Sequence, residues 1–448
     1  MRTSTLATLA LGAGAASAAT LKRQSSLTPV TVKGNAFFAG NDRFYIRGVD
    51  YQPGGSSDVA DPIADENGCQ RDISEFTKLG INTIRVYTVD NTADHDACMN
   101  ALADAGIYLV LDVNTPLYSL NRGDPAPSYN DVYLQSVFAT IDAFQGYSNT
   151  LAFFSGNEVI NNPETSAAAP YVKAVTRDIR QYIRNRGYRE IPVGYSAADV
   201  SENRLEMAEY MNCGTDDERS DFFAFNDYSW CDPSSFTQSG WDQKVQNFTG
   251  YGLPLFLSEY GCNTNTRDFG EVEALYSTEM TGVYSGGLVY EYSQEPSNYG
   301  LVEINGDSVT ELPDFDALMS QFANTPNPEG DGGYNSTGGA SGCPAYSEPN
   351  WLVKDDSLPA IPDGAKKYMT DGAGEGPGLS GPGSQNAGGA STGTASAGSG
   401  APSQTGGSGS SSSSTSNAAV STVPEWSLAP LVCGAVIVMS TFLGAALL

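Results

Sequence analysis

The chain has 448 residues, 52 of them acidic and 23 basic, for a formal charge of −29. Such a field repels nucleic acid, which needs a cationic surface to displace its counterions. With one histidine, His95, no His-rich zinc site is possible, and a Ser-His-Asp triad is open only if His95 is its base, so carboxylate chemistry remains.

At the start of the chain, Met1-Arg2 precedes a small apolar stretch from Leu6 to Ala18, and Ala16-Ser17-Ala18 fits a signal-peptidase site. This predicts a removed leader over 1–18 and secretion. Residues 27–323 then alternate apolar, β-branched or aromatic runs with longer helical patterns. The expected strands are Phe44 to Tyr51, Ile81 to Val89, Gly106 to Asn114, Thr150 to Glu158, Ile191 to Asp199, Phe222 to Trp230, Leu253 to Gly261 and Gly287 to Ser293. Most are nearly continuous apolar runs, as parallel strands buried on both faces require. Between them, helices are predicted over Cys69 to Leu79, His95 to Ala105, Tyr129 to Phe144 and Pro170 to Arg186. In the last, Val172, Val175, Ile179, Tyr182 and Ile183 recur at helical spacing, and Lys173, Arg177, Arg180 and Arg184 are expected on the wet side. Eight βα units without an internal composition break predict an α/β fold, a (β/α)8 TIM barrel. An open α/β sheet is the alternative, but no Gly-rich phosphate loop supports it.

Residues 324–370 form a Pro-rich extension. Residues 371–419 are nearly all Gly, Ser, Ala, Thr, Pro and Gln, a composition that predicts a disordered, O-glycosylated stalk. Leu428 to Leu448 is uncharged, and no Lys or Arg follows it. With small residues at Asn417-Ala418-Ala419 and a spacer after them, 420–448 fits a GPI-anchor signal with Asn417 as the anchor site; a single-pass helix is the alternative. The expected location is the extracellular face of the plasma membrane, with passage into the cell wall left open. N-glycosylation sequons begin at Asn247 and Asn335. Of seven cysteines, Cys433 lies in the removable tail, which leaves an even set for disulfides whose pairing the spacing does not choose.

In a barrel of this kind chemistry sits where strands end. The fourth strand stops at Asn157-Glu158 and the seventh at Ser258-Glu259. Two glutamates on one rim supply what glycoside cleavage requires, a protonated carboxyl for the leaving oxygen and an ionised one for the anomeric carbon, with retention if they stand about 5 Å apart. The competing reading is that each caps the next helix or pairs with an arginine such as Arg85. Further rim residues are Arg85, Tyr87, Asp112, Asn114, Asp199, Asn226, Tyr228, Trp230, Tyr290 and Tyr292. Amides, carboxylates and flat aromatic faces together suit a polyol.

In order along the chain, Ile46-Arg47-Gly48-Val49-Asp50-Tyr51-Gln52-Pro53-Gly54-Gly55, Asn82-Thr83-Ile84-Arg85-Val86-Tyr87, Phe154-Ser155-Gly156-Asn157-Glu158-Val159, Phe225-Asn226-Asp227-Tyr228-Ser229-Trp230-Cys231, Leu257-Ser258-Glu259-Tyr260-Gly261-Cys262 and Val289-Tyr290-Glu291-Tyr292 resemble the fungal GPI-anchored β-1,3-glucanosyltransferases of glycoside hydrolase family 72. The resemblance covers Leu27 to Cys343. It implies Glu158 as acid/base, Glu259 as nucleophile, and Asn157 at the donor 2-hydroxyl. It further implies Tyr87, Tyr290 and the loop Asn114 to Arg122, with Asn121, at the donor subsites, Asp199 and Arg204 at the acceptor, and Tyr228 and Tyr299 stacking on glucose. The implied disulfides are Cys69 with Cys98, Cys213 with Cys343 and Cys231 with Cys262, so that Cys343 ties 324–370 to the barrel. No cysteine lies between Cys343 and the removable tail, so the resemblance is to the branch of the family without a cysteine-rich carbohydrate-binding module. The implied partners are a β-1,3-glucan donor and acceptor and, through the lipid anchor, the membrane; no metal or cofactor and a monomer are expected. A secreted endo-β-glucanase or mannanase and a non-catalytic wall glucan-binding protein are the rival readings.

Overall fold

The computed structural model describes residues 27–395. The expected leader, the anchor site Asn417 and the tail 420–448 lie outside the described residues. The chain opens with an antiparallel meander, β1 (Val30–Lys33), β2 (Ala36–Ala39) and β3 (Asp42–Phe44). Its fully buried Phe37 packs on Phe222 and Phe256 at 5.9 Å each, so the meander plugs one end of the barrel with aromatic rings.

The barrel consists of β4 (Ile46–Asp50), β5 (Thr83–Val86), β6 (Tyr108–Asp112), β7 (Thr150–Asn157), β8 (Val193–Ala198), β9 (Phe222–Asp227), β10 (Leu255–Tyr260) and β11 (Tyr284–Val289). All its pairings are parallel, and β11 closes against β4. This is the expected (β/α)8 barrel rather than an open sheet. The last strand begins three residues before its expected start, because Gly286-Gly287 is part of the strand and not a break before it. A Cβ at Gly286, whose φ is 89°, would lie 2.1 Å from the Ile46 carbonyl oxygen, so glycine is what allows the closing strands to meet.

The helices are α1 (Glu66–Leu79), α2 (Asp96–Asp104), α3 (Pro125–Ser128), α4 (Asp131–Phe144), α5 (Ala169–Asn185), α6 (Arg204–Met211), α7 (Trp241–Phe248), α8 (Glu271–Leu275) and α9 (Pro313–Asn324). Asn130 starts α4 by accepting the Tyr133 backbone N–H. The apolar stripe of α5 is buried as expected, but two of its expected wet residues are not wet. Lys173 donates to the Tyr210 and Cys213 carbonyls, and Arg177 to Asp178 and the Pro359 carbonyl. Arg177 is covered by the extension, which lays β14 (Leu358–Pro359) over the outer face of α5, and Lys173 is taken up by the end of α6. The intervening β12 (Val302–Asn305) and β13 (Ser308–Glu311) form a hairpin.

The disulfides are Cys69–Cys98, Cys213–Cys343 and Cys231–Cys262, the pairs the resemblance implies. Cys343 thus ties the extension to the barrel, and Trp351 beyond it is fully buried against Tyr210. The expected stalk boundary at 371 moves: 371–395 lies along the barrel and ends in β15 (Thr394–Ala395), paired with β14. Its backbone carbonyls and amides bond to loop and helix side chains, so order does not require apolar side chains here. The remainder of the expected stalk lies outside the described residues. No helix among the described residues is long and apolar enough to cross a membrane.

Candidate active site

Glu158 directly follows β7, with φ at 47° and its N–H donating to the Ser196 carbonyl at 2.9 Å. Glu259 lies near the end of β10, opposite Asn226 of β9. Both therefore stand on the same rim of the barrel, the end that carries the βα loops. Asn226 joins them: its Nδ2 donates to Glu158 Oε1 at 2.9 Å, while its Oδ1 accepts from Ser258 Oγ, beside Glu259, at 2.8 Å. Asn157 belongs to the same network, its Oδ1 lying 2.7 Å from Ser196 Oγ and 3.2 Å from Asn226 Nδ2.

The two carboxyls have unequal surroundings. Glu259 Oε1 accepts from the Tyr87 hydroxyl at 2.8 Å and from Arg85 Nη1 at 3.1 Å, and Oε2 accepts from the Tyr228 hydroxyl at 2.7 Å. The fully buried Arg85 is itself held by Asp112, which accepts from Nε at 2.9 Å and Nη2 at 3.0 Å. Glu158 receives the Asn226 amide. Burial pushes the Glu259 carboxyl up to about 7, and the charge of Glu158 adds to this; Arg85 and the tyrosine hydroxyls pull it down. The guanidinium and phenol donors favour the anion at Glu259. The competing reading, a structural pairing with Arg85, is thus correct about the contact, yet that contact holds a carboxylate at the mouth.

Tyr228, Tyr290 and Tyr299 form a cluster of mutually edge-on rings, with centroids 5.3 to 6.3 Å apart, beside Glu259. The buried Arg267 fixes this wall by donating to the Tyr290 carbonyl at 3.0 Å and the Tyr299 carbonyl at 2.7 Å. Asn114 accepts from the Tyr133 hydroxyl at 2.6 Å, and Asn121 and Arg122 are exposed on the same β6–α3 loop. The charges of Arg122 and Glu158 both bear on Tyr195.

Asp199 and Arg204 meet as a pair, and the sequence reading missed what completes it. Lys244 of α7 donates to Asp199 Oδ2 at 2.6 Å, to Asp227 Oδ2 at 2.5 Å and to Ser229 Oγ at 3.0 Å. It therefore grips the residues on either side of Tyr228. The available signal was a cation on an apolar stripe, since Trp241, Lys244 and Phe248 share one face of α7 and all three are buried. Asp50 was also missed as a site residue. It is fully buried with neither carboxylate oxygen hydrogen-bonded, and 3.9 Å from Arg85; burial raises its carboxyl well above the ordinary range. His95 is buried against Phe144, with Nε2 2.7 Å from Asp61. The one potential metal cluster among the described residues, Cys213, Cys343 and Asp356, contains a cystine, which offers no thiolate.

A closed (β/α)8 barrel with one glutamate after its fourth strand and another on its seventh, joined through an asparagine and walled by tyrosines, defines a glycoside-processing enzyme of the two-carboxylate class. The chain belongs to the glucanosyltransferase family, glycoside hydrolase family 72, whose pattern its residues 19–326 match. It is 74% identical over 442 residues to the 1,3-beta-glucanosyltransferase gel1 of Aspergillus fumigatus, covering 98% of each chain. With the 1,3-beta-glucanosyltransferase gas4 of Schizosaccharomyces pombe it shares 56% identity over 374 residues, 81% of each. Among solved structures it resembles Saccharomyces cerevisiae Gas2p in complex with laminaritriose and laminaritetraose, with a TM-score of 0.70 and 38% identity over 75% of this chain and 78% of that one.

Proposed function

We propose that the protein is a retaining β-1,3-glucanosyltransferase that cleaves a β-1,3-glucan donor and joins the new reducing end to the non-reducing end of a second β-1,3-glucan, lengthening cell-wall glucan. The observation that carries this reading is the unequal donor set on two glutamates linked through Asn226. Glu259, held as an anion by Arg85, Tyr87 and Tyr228, attacks the anomeric carbon while Glu158 gives its proton to the departing glycosidic oxygen. The resulting glycosyl ester is resolved when Glu158 takes the proton of an acceptor 3-hydroxyl and that oxygen displaces Glu259. On this reading Asn157 holds the donor 2-hydroxyl, Tyr87, Asn114, Asn121, Arg122 and Tyr290 line the donor side, and Tyr228 and Tyr299 offer ring faces to glucose. Asp199 and Arg204 serve the acceptor, whose binding excludes water from the ester.

Chromatography of an incubation with reduced laminari-oligosaccharides is the test. Products longer than the supplied chain support transfer; shorter ones alone mean an endo-glucanase, and an unchanged ladder means a glucan-binding protein. We further propose that the chain acts as a monomer, GPI-anchored at the extracellular face of the plasma membrane, with N-glycans at Asn247 and Asn335. The uncharged tail with its small-residue site supports the anchor. Release from cells by phosphatidylinositol-specific phospholipase C is expected, and retention in the detergent-insoluble wall fraction would point to the wall instead.

A further inference from the structure

We infer that residues 376–390 are a positioning strap for the substrate loop 114–122, so that the C-terminal extension, which lies beyond the matched family region, sets how tightly the glucan donor is held. The inference rests on the proposed function, which makes this loop a wall of the donor subsites.

The strap meets the loop along its length. The Ser384 N–H donates to the Leu117 carbonyl at 2.9 Å, the Tyr118 hydroxyl donates to the Ser380 carbonyl at 2.7 Å, and Gln385 Nε2 donates to the Ser119 carbonyl at 2.7 Å. Ser384 is fully buried, and its own carbonyl accepts from Asn130 Nδ2 at 2.6 Å, which ties the strap to the start of α4 as well. The fit depends on glycine. Gly383 has φ at +75°, and a Cβ there would lie 2.5 Å from the Leu117 carbonyl oxygen, so backbone approaches backbone closer than any side chain allows. A free stalk would have no reason to meet a loop in this way.

The loop in turn joins the surroundings of both glutamates. It begins two residues after Asp112, the carboxylate that holds Arg85 against Glu259, and ends at Arg122, whose charge bears on the same tyrosine as Glu158 does. Within it, Thr115 and Tyr118 exchange backbone hydrogen bonds around a tight turn, and Tyr118 is buried beneath the strap. Exposed side chains such as Asn121 and Arg122 keep one geometry for a sugar only if the backbone carrying them does. The strap supplies that constraint from the side of the loop where Leu117, Tyr118 and Ser119 bond to it.

Two variants of the full chain test this, Gly383→Ala, which forces the strap away from Leu117, and Gln385→Ala, which removes its bond to Ser119. Neither residue belongs to the catalytic machinery. The readouts are KM and kcat with a laminari-oligosaccharide donor, the dissociation constant of laminaripentaose by calorimetry, and amide hydrogen exchange over 115–121. Losing one such bond is expected to weaken donor binding about fivefold in Gln385→Ala, with a larger loss in Gly383→Ala, kcat within about twofold and faster exchange in the loop. Donor KM and dissociation constant equal to wild type in both variants, with or without a lower Tm, overturn the inference. Should Gly383→Ala fail to fold, Gln385→Ala decides alone. Wild-type protein that makes no longer chains would instead refute the proposed function, while the calorimetric comparison would still judge the strap.

Discussion

The site contains two cation centres that look alike and behave oppositely. Around Arg85, three carboxylates, Asp50, Asp112 and Glu259, converge on one guanidinium. Around Lys244, two carboxylates, Asp199 and Asp227, face two cations, because Arg204 shares Asp199. Burial raises Asp50, Asp112 and Glu259 above the ordinary carboxylate range despite Arg85. Asp227, as deeply buried, is lowered, because the Lys244 charge and the Ser229 hydrogen bonds outweigh the same desolvation. The balance of charge, more than depth, decides in which direction a buried carboxylate is shifted. The Arg85 centre has acidic groups in excess around Glu259, and the neutral Lys244 centre clamps the rim on either side of Tyr228 and leaves Arg204 partly exposed.

The contrast is broken most strongly at the carboxylates that react. Glu259→Gln keeps the shape of the side chain but removes the proposed nucleophile, and Glu158→Gln removes the proposed proton donor. Each is expected to lower turnover by at least about 10³-fold on laminari-oligosaccharides, measured as initial rates of product-ladder formation. Full activity in either variant would remove that glutamate from the mechanism.

Lys244→Met comes next and strikes the neutral centre. It leaves Asp227 buried without its cation and Asp199 with Arg204 alone, a loss expected to cost about 3–5 kcal/mol of stability by urea denaturation. Lys244→Arg should lose much less, since the charge is kept. If Lys244→Met were as stable as wild type, the centre would not be a structural clamp.

Much of this was legible because strand endings announce themselves. An apolar run that stops at Asn157-Glu158 or Ser258-Glu259 marks where a buried strand meets its loop, and the pairing of Asp199 with Arg204 followed from the resemblance to a family. What was hidden depends on neighbours remote in sequence. Lys173 and Arg177 fit a wet helix face until the end of α6 takes up the one and the extension covers the other, and Lys244 was passed over although its apolar stripe was visible. The short strands of the meander, β1 to β3, lack the long apolar runs that flagged the barrel. Residues 371–395 were misjudged for a physical reason: composition measures how much apolar surface a segment can bury, and this segment is held by its backbone instead.

The difference between the centres also has a pH signature. For Glu259 the folded value of about 7 exceeds the ordinary 4.5. Between those values the folded chain binds more protons than the unfolded one, so stability falls as pH rises through the window. Asp227 works the other way, adding stability above the ordinary aspartate range that is lost on acidification through its lowered value. Thermal unfolding from about pH 5 to pH 7 should therefore show a falling Tm in wild type and a shallower fall in Glu259→Gln, with Glu271 and Glu291, each pushed up to about 8 by burial, and the raised Asp50 and Asp112 supplying the slope that remains. An identical slope would mean that Glu259 is not the group under pressure.

The smallest effect expected concerns the competition between water and sugar for the glycosyl ester. Arg204 spends Nε on Asp199 and remains partly exposed, with 19% of its side chain accessible, so it is the member of the neutral centre best placed to meet an incoming chain. Arg204→Ala leaves Lys244 on both aspartates, so the rim stays clamped and only the proposed contact to the acceptor is lost. One hydrogen bond to a charged group should shift the ratio of hydrolysis to transfer by roughly tenfold or less, with donor cleavage almost unchanged. An unaltered product ladder would place the acceptor elsewhere on the rim, and a fall in donor cleavage as well would mean that the two centres are not separable, because the loss at Arg204 would then have travelled through Asp227 and Tyr228 to the nucleophile.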